Sequence, residues 1–123
     1  MANVQRVRSS ERVSGPPTPG MVREQAIVTE DLWGGVVTTE PGMVSGWHHH
    51  GGHRTLFYVL SGIVRIEHGA GGTESVDAEP GDFVLIPEQE VHREGNPASE
   101  PASVMIVRSV AGETVVNVEG PTG

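Results

Sequence analysis

The sequence predicts an all-β fold, a sandwich or closed barrel of short antiparallel strands in a single domain. Seventeen Gly and nine Pro in 123 residues leave little room for long helices. Between these breaks, runs rich in Val, Ile and Thr recur at short spacing, which is typical of a β-sandwich or barrel. A chain of this length is long enough to bury a core and too short to divide into two domains.

The first 24 residues are predicted to form an N-terminal arm, because the run from Ser14 to Gly20 contains three Pro and two Gly and can continue neither a helix nor a central strand. Such an arm can still add a strand to an open sheet edge. Residues 25–123 are predicted to form the domain, with its barrel core at about residues 36–110. The expected strands lie near residues 25–30, 33–40, 44–50, 55–60, 63–68, 73–77, 83–87, 102–109 and 113–118.

Turn-forming residues separate these strands. The turns are expected at Pro41-Gly42, Gly51-Gly52, Ser61-Gly62, Gly69-Ala70-Gly71-Gly72, Pro80-Gly81, Asn96-Pro97 and Ala111-Gly112. No helix of normal length fits between them. Closure of the barrel is expected because an open hydrophobic edge, such as 102–109, would pair with other chains.

Composition excludes several classes of function. The chain has no Cys, so a disulfide framework and thiolate metal ligands are excluded, and a metal would depend on His, carboxylate or water. All eight basic residues are Arg, set against sixteen Asp and Glu, and the net charge of -8 argues against nucleic-acid binding. No stretch approaches the length of a membrane span or a secretion signal, so a cytoplasmic protein without membrane contact is expected.

Four of the six histidines lie within Trp47-His48-His49-His50-Gly51-Gly52-His53. In a strand, alternate side chains share a face, so His48 and His50 lie on one side with Cα atoms roughly 6.6 Å apart. That spacing suits two imidazoles on one metal ion, whereas His49 points to the opposite face. A merely solvated His-rich turn is the alternative interpretation.

Two blocks of sequence, separated by 18 residues, resemble the two motifs of the cupin superfamily. The first contains Gly42, His48, His50, Thr55 and Gly62 at the motif spacing, with Thr55 where the family usually has Glu. The second block runs from Gly81 to Pro87 and continues through Gln89, where Gly is common, to His92 and Asn96.

This resemblance implies a double-stranded β-helix, or jelly-roll barrel, with a metal site inside the barrel mouth. It implies that His48, His50 and His92 are the metal ligands. The matching Gly, Pro and Asn positions are implied to form turns and to take no part in chemistry.

The motif departs from the family pattern at Thr55, because neither Arg54 nor Thr55 can supply an anionic oxygen. Some cupins, including certain dioxygenases, bind metal with three His and no Glu. His53 shares the side-chain parity of Thr55 and is therefore a candidate fourth ligand. Neutral ligands would leave the full charge on the metal, and one divalent ion of Fe, Mn, Zn, Ni or Cu is expected.

A substrate pocket is predicted beside the metal, lined by Thr55, Phe57 and Arg54. For Phe57, packing in the core is an equally good interpretation, and for Arg54 a solvated position or a structural salt bridge is the alternative. Glu90 and Glu94 flank His92 and are candidates for a base or for groups that orient an imidazole.

Two aromatic residues of opposite parity, Trp47 and Tyr58, are expected on the outer surface, where a second copy of the chain would cover them in a homodimer. No nucleic-acid or membrane partner is expected, and the ligand is expected to be a small molecule.

These observations predict a metal-binding cupin with an all-His site that acts on or binds a small polar metabolite. The chemistry would resemble that of a dioxygenase or an isomerase. The alternative is a non-catalytic module that binds or senses a small molecule. No acid/base pair is evident, so the sequence identifies no catalytic residue and leaves the two alternatives open.

Overall fold

The computed structural model describes residues 3–16, 18–109 and 115–122, and it consists of antiparallel β-sheets that enclose one core. The strands in this part of the chain are β1 (Val13–Ser14), β2 (Met21–Val28), β3 (Trp33–Thr39), β4 (His48–His49), β5 (Thr55–Ser61), β6 (Val64–His68), β7 (Glu74–Ala78), β8 (Phe83–Ile86), β9 (Arg93–Gly95), β10 (Ala102–Arg108) and β11 (Val116–Asn117). Single 3-10 turns lie at Ser9–Glu11 and Ala70–Gly72.

The larger sheet has six strands in the order β1-β2-β3-β10-β5-β8. All its pairings are antiparallel, and β10 is central, paired with β3 on one side and β5 on the other. Along β10, Ala102, Val104, Ile106 and Arg108 are buried and alternate with more exposed residues. This period of two places the buried set on the inner face of the sheet.

The opposite sheet is built from a three-stranded unit, β7-β6-β9, and a two-stranded unit, β11-β4. Backbone hydrogen bonds join the two units along residues 42–48 and 92–96. Among them, the amides of His48 and His92 each donate to the carbonyl oxygen of the other residue at 2.9 Å. A long-range antiparallel pairing therefore sets the two cupin-like blocks side by side.

The core lies between the two sheets. Its buried apolar residues are Met21, Trp33, Val37, Phe57, Val59, Val64, Ile66, Ala78, Ile86, Ala102, Val104 and Ile106. Gly62 directly follows β5 with φ at +76°, and a Cβ there would lie 2.6 Å from the Pro101 carbonyl oxygen. The turn into β6 therefore requires glycine at this position.

The structure corrects two predicted strand boundaries. The strand expected at 25–30 begins at Met21, because Met21 pairs with Thr39 and packs in the core despite the preceding Gly/Pro run. The strand expected at 44–50 is regular only at His48–His49, since Ser45 Oγ accepts the Glu94 amide hydrogen and interrupts the ladder.

Strands β1 and β9 were not predicted, and both are only two or three residues long. β1 pairs with β2, so the predicted arm does add a strand to a sheet edge. Residues 113 and 114 of the last predicted strand lie outside the described residues, and β11 covers the part at Val116–Asn117. In the described part of the chain, no helix has the length and apolar character needed to cross a membrane.

Candidate metal centre

Three buried histidines converge between the two sheets. His48 lies on β4, His50 follows it on the same face, and His92 immediately precedes β9. Their candidate ligand nitrogens all lie within 4.8 Å of one another. The ring centroids are 5.0 Å apart for His48 and His50 and 4.4 Å apart for His48 and His92. The fold thus brings together the three histidines that the motif resemblance implied as ligands.

Two backbone carbonyls fix the ring tautomers. His48 Nδ1 donates to the Gly46 oxygen at 2.8 Å, and His92 Nδ1 donates to the Glu90 oxygen at 2.9 Å, because a carbonyl can only accept. The lone pair of each ring is therefore on Nε2. Metal-binding histidines commonly carry such a second hydrogen bond, which sets their orientation.

His92 provides a direct test of whether a cation fits. Its side chain is fully buried, and its Nε2 has no hydrogen-bond partner among the described residues. A buried polar atom without a partner costs about 1–3 kcal/mol, so it is rarely left in that state. A metal ion coordinated by Nε2 would remove this cost, and the three histidines therefore fit a divalent ion.

Burial also lowers the pKa of His92. Removal from water disfavours the imidazolium and outweighs the hydrogen bond to the Glu90 carbonyl and the nearby carboxylates of Glu94 and Glu90, which act in the opposite direction. The ring is thereby kept neutral, which is the form that binds metal.

His53 and Thr55 occupy buried positions outside the three-histidine group. The His53 amide donates to the His50 carbonyl at 3.1 Å, and His53 Nδ1 has no partner in the described part of the chain. Thr55 is 2% exposed, and its hydroxyl is likewise without a partner there. A fourth ligand at His53 stays a prediction.

A cavity of about 490 Å³ opens beside His48 and His50. None of the three residues predicted to form the pocket lines it. Arg54 is exposed, because its parity turns it away from the interior, and Phe57 packs in the apolar core. The described lining is Pro16, Thr18, Met21, Arg23, Val37, Met43, Val44, Ser45, Gly46, His48, His50, Glu94, Ile106, Arg108, Val115 and Asn117.

Two arginines of this lining were missed by sequence reasoning. Arg108 has the same parity as Ala102, Val104 and Ile106, so an inward-facing cation at the end of an apolar strand was a usable signal. Arg23 gave no such signal, because the Gly/Pro-rich run concealed the start of β2.

The remaining candidates lie around the site. His49 accepts a hydrogen bond from the Gly51 amide, and His68 lies 3.7 Å from a Glu90 carboxylate oxygen. Arg93 pairs with Glu67 at 2.7 Å and stacks over the Trp47 ring. Among the carboxylates predicted to act near His92, Glu94 lines the cavity.

Comparison with known proteins agrees with this architecture. A family model described as Cupin domain matches residues 35–108. No curated protein matches the sequence. The chain is similar to an uncharacterized conserved protein with a double-stranded β-helix domain from Klebsiella pneumoniae, at 22% identity and a TM-score of 0.72, over 85% of this chain and 90% of that chain.

Two further solved structures are similar. KdgF from Halomonas sp. has 21% identity and a TM-score of 0.73, over 87% of this chain and 94% of that chain. A Bacillus subtilis oxalate decarboxylase, studied for its Mn(II) centers, has 20% identity and a TM-score of 0.73, over 83% of this chain and 29% of that chain. These similarities confirm the predicted double-stranded β-helix fold.

Proposed function

This chain belongs to the cupin superfamily, and from that premise we propose that it holds one divalent transition-metal ion on His48, His50 and His92 and acts on a small polar metabolite in the adjoining cavity. The observation that supports this most is the convergence of three buried imidazoles, two of them with Nδ1 bonded to a backbone carbonyl. Such rings present neutral Nε2 atoms to a common point.

The ion would supply Lewis acidity that neutral imidazoles do not reduce. The chain's own residues orient the rings through Gly46 and Glu90 and exclude water from His92, which is fully buried. His48 and His50 border the cavity, so a ligand there would lie next to the proposed ion. Fe, Mn, Zn, Ni and Cu all accept imidazole, and the ligand set suits each of them.

Metal analysis tests the site. Untagged protein is stripped with a chelator, reloaded with each of the five metals in turn and assayed by elemental analysis. We expect about one ion per chain in the wild type and loss of stoichiometric metal in His48→Ala and His92→Ala, because two remaining imidazoles rarely hold a divalent ion.

The matched control is His68→Ala, which removes a half-buried imidazole outside the three-histidine group. It should retain the wild-type metal content. Stoichiometric metal in folded His92→Ala would contradict the proposal.

Oxygenation or isomerisation is the proposed chemistry, and non-catalytic binding or sensing is the alternative. A metal ion with an open coordination position favours catalysis, and a cavity beside His48 and His50 would leave such a position open.

The iron-loaded protein is incubated under oxygen with a panel of diketones, thiols and phenolics. Product formation supports an enzyme, whereas saturable binding without product supports the alternative.

We also propose that two copies pair through the outer face of the six-stranded sheet. We call this the outer apolar face and define it as Val36, Leu56, Tyr58, Phe83, Leu85, Met105 and Val107. Cross-strand pairing makes it continuous: one row joins Val36, Met105, Tyr58 and Phe83, and the next joins Val107, Leu56 and Leu85. Phe83 is 66% exposed and Leu85 61% exposed.

The outward positions of β3, β10, β5 and β8 carry no charged residue, although the whole chain has a net charge of -8. A second copy would therefore cover the face without burying like charges, and a two-fold axis places the same patch on both partners.

Light scattering should show a dimer for the wild type and a monomer for Phe83→Glu. Val76→Glu, on an exposed position of β7, is the control and should remain dimeric. A monomeric wild type would contradict the proposal.

A further inference from the structure

We propose that a second cavity, between β6 and β8, binds a small aliphatic amine, with Glu90 as the residue that recognises its charge. This second cavity has a volume of about 270 Å³. None of its described lining residues lines the cavity beside His48 and His50. It is therefore a separate site, and binding there needs neither the proposed ion nor the first cavity.

The second cavity lies at an open seam between the two sheets. In the described structure β8 pairs with β5 alone, whereas β6 pairs with β7 and β9. Side chains of β6 and β8 thus border the same space without a backbone ladder between the two strands. Val76 on β7 also lines this space and is 43% exposed, so a ligand can enter from solvent on that side.

Most of the wall of the second cavity is apolar. Ile66 on β6 and Ile86 on β8 line it, and each is 4% exposed and part of the core. Val84 also lines the cavity and packs against that core. Such a wall removes methylene groups from water, which favours a ligand with an aliphatic body. Ligand pockets commonly measure roughly 300–1,000 Å³, so this smaller cavity suits a molecule of few carbon atoms.

The charge of the described lining is negative. Glu90 contributes a carboxylate, and no arginine is among the described lining residues. Within the described part of the chain, the ion-pair contact of Glu90 is with His68, whose Nδ1 lies 3.7 Å from Glu90 Oε1. That distance is longer than a hydrogen bond, and no described residue donates one to this carboxylate. The carboxylate can therefore accept charge-assisted hydrogen bonds from an ammonium group.

The backbone holds Glu90 in place. Its amide donates to the Pro87 carbonyl at 3.3 Å, and its own carbonyl accepts the His92 Nδ1 hydrogen at 2.9 Å. The preceding amide, of Gln89, donates to the Gly51 carbonyl at 2.8 Å. The carboxylate thus extends from a fixed segment of chain, so binding an amine would order the backbone little further.

The second cavity also borders the metal centre. His92 lines it, whereas His48 and His50 line the first cavity. Nδ1 of His92 already donates to the Glu90 carbonyl, and Nε2 is the proposed metal ligand. Neither ring nitrogen is therefore available to an amine. This leaves the Glu90 carboxylate as the acceptor at that end of the cavity, with or without a bound ion.

Calorimetry on metal-stripped protein at about pH 8, where an alkylamine carries its charge, tests the proposal. The probes are n-pentylamine, its neutral analogue 1-pentanol, its anionic analogue pentanoate, and methylamine, which lacks the apolar body. We expect n-pentylamine to bind at least about tenfold more tightly than each of the other three. A factor of this size is typical of one hydrogen bond to a charged group.

Glu90→Gln should weaken n-pentylamine binding about tenfold or more and leave any binding of 1-pentanol unchanged, because it removes the charge and keeps the apolar wall. The matched control is Glu88→Gln, which removes an exposed carboxylate from the same turn and outside the described lining. It should bind n-pentylamine like the wild type. Val84→Phe, which fills the cavity, should weaken the binding of n-pentylamine and 1-pentanol alike.

Equal binding of n-pentylamine and 1-pentanol by the wild type would overturn the proposal, and this comparison does not depend on any variant folding. Equal binding of methylamine, or no binding of n-pentylamine at millimolar concentration, would also overturn it. So would an unchanged affinity for n-pentylamine in folded Glu90→Gln. Because the protein is free of metal in these measurements, failure of the amine site leaves the proposed metal function intact, and failure to load metal leaves the amine site intact.

Discussion

The inner face of the six-stranded sheet is apolar at one end and polar at the other, although the same three strands build both ends. At one end Val37, Val104 and Val59 are paired across β3, β10 and β5. Four residues along each strand, the paired residues are Trp33, Arg108 and Thr55. Because the spacing is even, both rows have the same inward parity and differ only in side-chain type.

Burial does not distinguish the two ends. Val59 is 0% exposed and Thr55 is 2% exposed, yet Thr55 leaves a hydroxyl without a hydrogen-bond partner in the described structure. The apolar end is stabilised by the removal of carbon from water, whereas the polar end retains unsatisfied groups that a ligand or ion could satisfy. The polar end therefore consists of inward-facing core positions that carry polar side chains near the ends of the strands.

The largest effect is expected from Phe57→Ala, which removes a buried ring at the apolar part of the inner face. We expect the free energy of unfolding to fall by about 3–5 kcal/mol, because transfer energy is lost and a cavity is left. Urea denaturation measures this change. Val76→Ala, at a position 43% exposed on β7, should lose far less. Equal losses in the two variants would break the distinction between core and surface.

A smaller effect is expected from pH, and it originates at the polar end. Burial holds the pKa of His92 below its usual value in the folded metal-free protein. As the pH falls, the unfolded chain therefore takes up a proton on this residue before the folded protein does. The stability is fully present above about pH 6.5 and decreases as the pH falls towards the pKa of the folded state.

Denaturation of metal-free protein at about pH 8 and about pH 5 measures this decrease. His92→Gln removes the titrating group and should show a shallower dependence, whatever its absolute stability. A dependence as steep as that of the wild type would assign the effect to other groups.

The smallest effect is expected from Thr55→Val, which makes the polar end more like the apolar end. The two side chains have nearly the same shape, and the hydroxyl is buried without a partner in the described structure. We expect unfolding to require roughly 1 kcal/mol more, since the cost of burying that hydroxyl is removed. Thermal denaturation is the measurement, and a clear loss of stability would mean that the hydroxyl has a partner.

The all-β fold class and the shared face of His48 and His50 could be predicted because they depend on local spacing. Alternation places His48 and His50 on one face, and the motif resemblance adds His92. The alternation along β10 also predicts that Arg108 faces inward. Its contact with Trp33 depends on the register of β3 and β10, which no local pattern specifies.

The lining from the N-terminal segment was out of reach for a different reason. Residues 14–20 have turn chemistry, so the sequence predicts an arm there, and only tertiary pairing with β3 extends β2 back to Met21. The cavity forms between elements far apart in the chain. Its lining is therefore a property of packing. Reasoning along a single strand predicts Arg54, Thr55 and Phe57 as pocket residues and does not find Arg23.

The reciprocal amide-to-carbonyl hydrogen bonds between His48 and His92 have a consequence for how the protein could be observed. These residues are 44 positions apart, so the distance between two proposed ligands is set by this one pair of backbone hydrogen bonds. Breaking that pair would separate the imidazoles. The two amide protons are therefore local reporters, and their exchange with deuterium should slow on metal loading more than that of amides at the apolar end of the sheet.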